Sequence, residues 1–194
     1  GATLIATSVI SPFMVPLKIL LMSAFLLALP FVLWQVWAFV APGLYSHEKK
    51  LVLPLVVSST VLFFIGVAFC YYFVFGQVFA FIQSFAPKSI TAAPDIEAYL
   101  SFVLSMFLAF GLAFEVPIAV VVLARMGVVS IEKLKNFRGY FIVIAFVIAA
   151  IVTPPDVVSQ LALAVPMCIL YEIGIWAAQL FIKHTKAPGT AEEE

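Results

Sequence analysis

Glu115 is the one charged side chain between residues 98 and 124 of this chain. An ionised carboxylate at bilayer depth is costly, so such groups face a cavity, a partner or a transport path. Pro117 follows two residues later. It lacks the amide that would bond back to the Ala113 carbonyl, and its ring crowds that carbonyl. The carboxylate is therefore expected beside a kink. The plainer alternative is a neutral, hydrogen-bonded glutamic acid that joins two helices.

Other polar groups stand at informative places. Glu48 lies in a short polar stretch, residues 46–50, just after an aromatic segment. It reads either as a solvated charge beside Lys49 and Lys50 or as a carboxylate that accepts a bidentate arginine. Pro154, Pro155 and Asp156 form a tight turn, flanked by Thr153 and Gln160. Asp156 suits a helix N-cap. Thr153 and Gln160 fall at similar depth and suit a bond to a polar residue of an incoming helix. Glu172 interrupts the last apolar run, and its role stays open.

Several chemistries are missing. There is no phosphate-binding loop, no glycine-rich dinucleotide turn and no metal-binding histidine pair. His47 and His184 are the two histidines, one in a loop and one past the last apolar run, so no Ser/His dyad forms at membrane depth. Cys70 and Cys168 sit inside apolar runs and read as core thiols. No cofactor, metal, nucleic acid or catalytic activity is expected. Work done by such a protein draws on a partner or on the membrane potential, worth about 2.3 kcal/mol per charge per 100 mV.

The elements that must position these groups are helices in a membrane. The chain is 65% hydrophobic and 10% charged, with a mean hydropathy of +1.21, far above a soluble domain. Charge-free runs cover residues 19–47, 51–87, 98–114, 139–155 and 157–171. The short alternating segments of a β-barrel are absent. The expected fold is all-α and polytopic, with five transmembrane helices.

The expected spans cover residues 18–41, 51–75, 99–124, 140–153 and 157–182. Pro12 and Pro16 are expected to make a rigid, extended entry to the first, and Pro30 to kink it. Trp34, Trp37 and Phe39 near its end suit a membrane interface, as do Tyr71 and Tyr72 near the end of the second. Gly76-Gln77 is expected to end the second span, leaving residues 78–85 as a short interfacial piece in a loop over 76–98. Ser130 is placed to cap a short helix in the basic loop over 125–139. The fourth span reaches only about 21 Å at 1.5 Å per residue, less than the ~30 Å hydrocarbon core. Ala109 with Ala113, and Ala145 with Ala149, permit close helix approach.

Eight of the ten basic residues fall on one side: Lys49, Lys50, Arg125, Lys133, Lys135, Arg138, Lys183 and Lys186. Lys18 and Lys88 fall on the other. By the positive-inside rule the C-terminus is cytoplasmic and the N-terminus outside. Residues 1–17 and the 154–156 turn are then external, 42–50 is a cytoplasmic loop, and 183–194 is a polar, disordered tail. The chain begins Gly-Ala-Thr, without a basic segment and cleavage site, so no signal peptide is read. Five spans do not divide into equal halves, which counts against an inverted-repeat transporter.

Four stretches carry a resemblance to a known family. They are residues 34–48 (WQVWAFVAPGLYSHE), 109–117 (AFGLAFEVP), 140–146 and 153–160 (TPPDVVSQ). In order and spacing they resemble TatC, the bacterial twin-arginine protein translocase receptor. The resemblance implies a concave, glove-like bundle of six spans with two short C-terminal ones, of which this chain would lack the N-terminal segment and first span. It implies a receptor and core subunit that binds twin-arginine signal peptides of folded precursors. The expected partners are the single-span proteins TatA and TatB, other TatC copies and the lipid bilayer. Export is driven by the proton-motive force across the bacterial cytoplasmic (inner) membrane. It further implies that Glu48 contacts the arginine pair with support from Phe39, and that Glu115 lines the concave face. Thr153 and Gln160 would belong to a polar contact for a TatA-type or TatB-type helix. Two rival readings are an ion-coupled small-molecule carrier using Glu115 and a purely structural scaffold.

Overall fold

The structure, a computed structural model, describes residues 5–40, 52–85, 95–153 and 156–185. Eight α-helices account for nearly all of them: α1 (Ser11–Val40), α2 (Val52–Phe69), α3 (Phe75–Phe85), α4 (Ile96–Ala113), α5 (Val116–Arg125), α6 (Ile131–Asn136), α7 (Arg138–Val152) and α8 (Val157–Thr185). Four helical stretches are long and apolar enough to cross a membrane: Ser11–Val40, Leu53–Phe81, Ile96–Arg125 and Val157–Phe181. Among the described residues the helix Arg138–Val152 is apolar too, but shorter. The fold is an all-α, multi-pass membrane bundle.

The first span starts earlier than expected, and its proline-rich entry is helical rather than extended. Pro12 occupies the first turn of α1, where its missing amide would be unpaired anyway. The helix then continues through Pro16 and Pro30. Its start is tied to α4. The Ser11 hydroxyl donates to Glu97 Oε2 (2.8 Å), and Lys18 Nζ bonds both Glu97 Oε1 (2.8 Å) and Ser101 Oγ (2.9 Å).

The second span does not end at Gly76-Gln77. A five-residue π-helical turn, Cys70–Val74, joins α2 to α3, and the Phe75 amide bonds back to the Cys70 carbonyl. A lone helical glycine costs only about 1 kcal/mol. Here Val74, Phe75 and Val78 are all buried in the same core cluster on either side of it, so packing holds the helix together. Residues 78–85 are thus part of a long helix, not a separate interfacial piece. Tyr71 and Tyr72 lie on the exposed side of the π turn, in mid-helix.

The two C-terminal spans are not both short. α7 has 15 residues and α8 has 29. Within α8 the Glu172 carboxylate is forked by Arg138: Nε to Oε1 at 2.6 Å and Nη2 to Oε2 at 2.7 Å.

The main core cluster joins Cys70, Val78, Met106, Phe110, Ala145, Ala149 and Leu163, all fully buried. Small side chains let helices close in. A Cβ on Gly66 would stand 2.5 Å from the Phe110 carbonyl oxygen, so α2 and α4 meet backbone to backbone there. A second cluster packs Leu29, Leu33 and Trp37 of α1 against Val56 and Phe63 of α2 and Ile118 and Val122 of α5. A third sets α5 and α6 against α8. There Tyr171 stacks on Phe141 with ring centroids 4.0 Å apart and donates its hydroxyl to the Leu134 carbonyl.

Candidate functional site at the α4–α5 break

The helix pair α4–α5 breaks at Phe114 and Glu115. The Glu115 amide donates to the Leu112 carbonyl (3.1 Å), a tightened turn, and its own carbonyl accepts from the Ala119 amide (3.0 Å) to start α5. Pro117 sits in the first turn of α5, where a missing amide removes no helical bond. Pro117 is also held from the far side. A Cβ on Gly174 of α8 would come within 2.9 Å of the Pro117 Cα. Glycine at that position is what lets α8 press on the break.

Both Glu115 carboxylate oxygens are buried, and neither has a hydrogen-bond partner among the described residues. The Ser59 hydroxyl of α2 faces the same carboxylate but stands outside hydrogen-bond geometry. Ser59 is itself fully buried and accepts the indole N–H of Trp37 at 2.8 Å. Trp37, Ser59 and Glu115 thus line up from α1 through α2 to the break. A buried carboxylate without partners is expensive to keep. It is relieved by an incoming donor, so the arrangement suits recognition of a polar group that enters from outside the chain.

Trp37 is therefore not an interface anchor, as its sequence position had implied. Its ring is buried, because it packs with Val56 and Phe63 of α2 and Ser59 satisfies its N–H. Trp34 and Phe39 do lie outward, Phe39 being 87% exposed. Glu48, Pro154 and Pro155 lie outside the described residues.

A second polar group of residues gathers at the start of α8. Asp156 caps this helix: its Oδ1 accepts from the Ser159 amide at 2.7 Å. Thr153 is 5% exposed and donates its hydroxyl to the Ala149 carbonyl one turn back (2.8 Å). Gln160 reaches across to α7, donating Nε2 to the Phe146 carbonyl (3.3 Å). Asp156 Oδ2 and Ser159 Oγ are buried without partners among the described residues. Glu115 and Pro117 form one site, and Thr153, Asp156 and Gln160 form another. No hydrogen bond joins Glu115 to the second group.

Sequence reasoning missed Ser59. Three hydroxyl residues, Ser58, Ser59 and Thr60, follow one another in α2. Ser58 and Thr60 bond to carbonyls of their own helix, and only the tertiary structure singles out Ser59. Ser130 caps α6 by accepting from the Lys133 amide. Asp95 caps α4 and also accepts the Thr7 amide at 3.2 Å. Those amides, Thr7's first, hold its carboxyl below the ordinary aspartate range. No group of three or more potential metal ligands occurs among the described residues.

Comparison with known proteins agrees with this architecture. The family profile described as Sec-independent protein translocase protein (TatC) matches residues 1–166. The chain is 54% identical to the Sec-independent protein translocase protein TatC of Halothiobacillus neapolitanus over 194 residues, covering all of this chain and 53% of that protein. It is 50% identical to the TatC of Escherichia coli over 182 residues, 94% of this chain and 70% of that one. The chain thus spans about half the length of the first relative and somewhat more of the second. Among solved structures, a twin-arginine translocase receptor TatC superposes with a TM-score of 0.81 at 42% identity, covering 92% of this chain and 79% of that one. On this evidence the chain belongs to the TatC family of Sec-independent protein translocase proteins.

Proposed function

We propose that this chain is the receptor core of a twin-arginine translocase. In this reading it binds the twin-arginine signal peptides of folded precursors and organises TatA and TatB for export. The proton-motive force drives transport, and other TatC copies share the complex. It resides in the bacterial inner membrane with its C-terminus in the cytoplasm. The observation that carries the reading is 50% identity across 94% of the chain with a TatC protein, together with the shared fold.

Within that reading Glu48 and Phe39 form the arginine-binding site. Two guanidinium groups favour fixed carboxylates, and lysine does not reproduce their fork geometry. Glu115, at the break made by Pro117, receives a polar group of the incoming peptide or partner helix. Thr153, Gln160 and the turn through Pro154, Pro155 and Asp156 form a contact for a TatA-type or TatB-type helix. No step in this reading is catalytic. The carrier alternative gains no support from the relatives, which are translocase proteins by name.

The test is photocrosslinking of a twin-arginine signal peptide and its twin-lysine variant to this protein in membranes. Labelling selective for arginine, and lost in Glu48→Ala, is expected. Equal labelling by both peptides would overturn the receptor reading.

A further inference from the structure

The run Ser58-Ser59-Thr60 in α2 leaves one hydroxyl proton without an acceptor in its own helix. Ser59 Oγ accepts the indole N–H of Trp37 at 2.8 Å, and an indole offers no acceptor in return. A serine inside a helix ordinarily turns its proton back to a carbonyl three or four residues earlier. For Ser59 these are the carbonyls of Val56 and Leu55, and both are taken. Ser58 donates its hydroxyl to the Leu55 carbonyl (2.9 Å), and Thr60 donates to the Val56 carbonyl (2.8 Å). Each carbonyl also accepts the helical amide four residues on, which fills its two lone pairs. Ser59 is fully buried, so bulk water does not take the proton.

The acceptor on the far side is Glu115, and the packing of α2 on α4 puts it there. A Cβ on Gly111 would collide with the Phe63 ring, and one on Gly66 would meet the Phe110 carbonyl. The two helices therefore run antiparallel, with Phe63 opposite Gly111. Four residues back from Phe63 stands Ser59, and four residues on from Gly111 stands Glu115. That is one turn along each helix in the same direction, so the pair is opposed as well. The Ser59 hydroxyl faces the Glu115 carboxylate, whose two oxygens have no hydrogen-bond partner among the described residues.

We propose that Ser59 is the positioning residue of the Glu115 site. A turn of the Glu115 side chain brings one carboxylate oxygen onto the Ser59 proton and leaves the other for the incoming group. A buried hydroxyl and a buried carboxylate that lack partners each cost free energy, and this one bond relieves both. Trp37 holds Oγ at the break, while Ser58 and Thr60 close the two alternatives within the helix. The incoming group then meets a carboxylate of fixed direction. The use of this device in export rests on the receptor reading above; the bond itself does not.

The experiment uses infrared difference spectra of the full chain in lipid nanodiscs. Subtracting Glu115→Gln from the parent, and from each variant its own Glu115→Gln partner, isolates the Glu115 carboxyl band. Ser59→Ala should shift that band toward the position of a carboxyl without a donor, and Ser59→Thr should restore it. Ser58→Ala and Thr60→Val should shift it in the same direction, because each frees a carbonyl to which Ser59 can turn. A merely structural Ser59 would leave the band in place in both neighbours. An unmoved band in Ser59→Ala, or in both neighbour variants, overturns the proposal. If Ser59→Ala does not fold, Ser58→Ala and Thr60→Val decide, since both positions are only half-buried. In membrane vesicles Ser58→Ala should lower export of a folded precursor while crosslinking keeps its preference for the arginine peptide. A shifted band with undiminished export overturns the positioning role. Equal crosslinking of the arginine and lysine peptides in the parent would strike the receptor reading alone, because the band is measured without a peptide.

Discussion

Trp37 donates its indole N–H to the Ser59 hydroxyl at 2.8 Å, with both residues buried between α1 and α2. This bond fixes a hydroxyl that faces Glu115 and sets the inner wall of the break.

Ser59→Ala leaves the Trp37 N–H buried and unpaired. Side-chain hydrogen bonds between membrane helices average about 0.6 kcal/mol and reach about 1.7. A loss within that range is expected for Ser59→Ala by equilibrium unfolding in mixed micelles. The double variant Trp37→Phe/Ser59→Ala should be less destabilised than the sum of the two single changes, because the pair acts as a unit. Simple additivity would mean that the bond contributes nothing.

Glu115 should trade stability for function. Its two oxygens are buried without partners among the described residues, and burying an unpaired polar group costs about 1–3 kcal/mol in protein mutational data. Glu115→Leu is therefore expected to raise the unfolding temperature in detergent. Glu115→Ala should impair export in membrane vesicles more than signal-peptide crosslinking. Equal loss of export and crosslinking, with a lowered unfolding temperature, would make the residue a packing element.

Two glycines should respond in opposite ways. A methyl group on Gly174 meets the Pro117 backbone, whereas one on Gly76 meets nothing within 4 Å. Gly174→Ala should destabilise by about 1–3 kcal/mol, the usual cost of overpacking. Gly76→Ala should be neutral or stabilising by up to about 1 kcal/mol, the helix preference of alanine. Thermal unfolding of the two variants side by side checks this.

Asp95 predicts a pH dependence. Its carboxyl is held below the ordinary aspartate range by the Thr7 amide first and by Ala98 and Glu97 amides. A depressed carboxyl binds fewer protons folded than unfolded, so its contribution is complete above the ordinary aspartate value. It is lost as pH falls through the lower folded value. The unfolding temperature of the parent should drop more steeply than that of Asp95→Ala as pH is lowered from neutral into the acid range. Parallel curves would show that the cap carries no proton linkage.

The break at Glu115 was legible because a charge and a proline interrupt a uniform apolar run. The caps at Ser130 and Asp156 were legible because serine and aspartate before a helical stretch can accept from its first amides. The partners were not. α1 and α2 are apolar on every side, so no periodicity says that Trp37 and Ser59 turn inward. Glu172 finds Arg138 34 residues away, a distance at which sequence spacing says nothing. Gly76 looked like a stop because local preference favours one. Burial of Val74, Phe75 and Val78 outweighs it.

The π turn at Cys70–Val74 has a consequence for chain length. It spaces its bonds five residues apart where an α-helix uses four, so it takes up one additional residue. Each residue advances an α-helix by about 100°. The turn thus acts as a phase shifter between α2 and α3, letting two apolar segments with different rotational settings share one axis. Forcing α-helical geometry on residues 70–74 with all of them kept would rotate α3 relative to α2 by about that angle, and Phe75 and Val78 would swing off the core. Deleting a single residue from 70–74 should instead let the turn relax to α-helix with Phe75 and Val78 still facing the core.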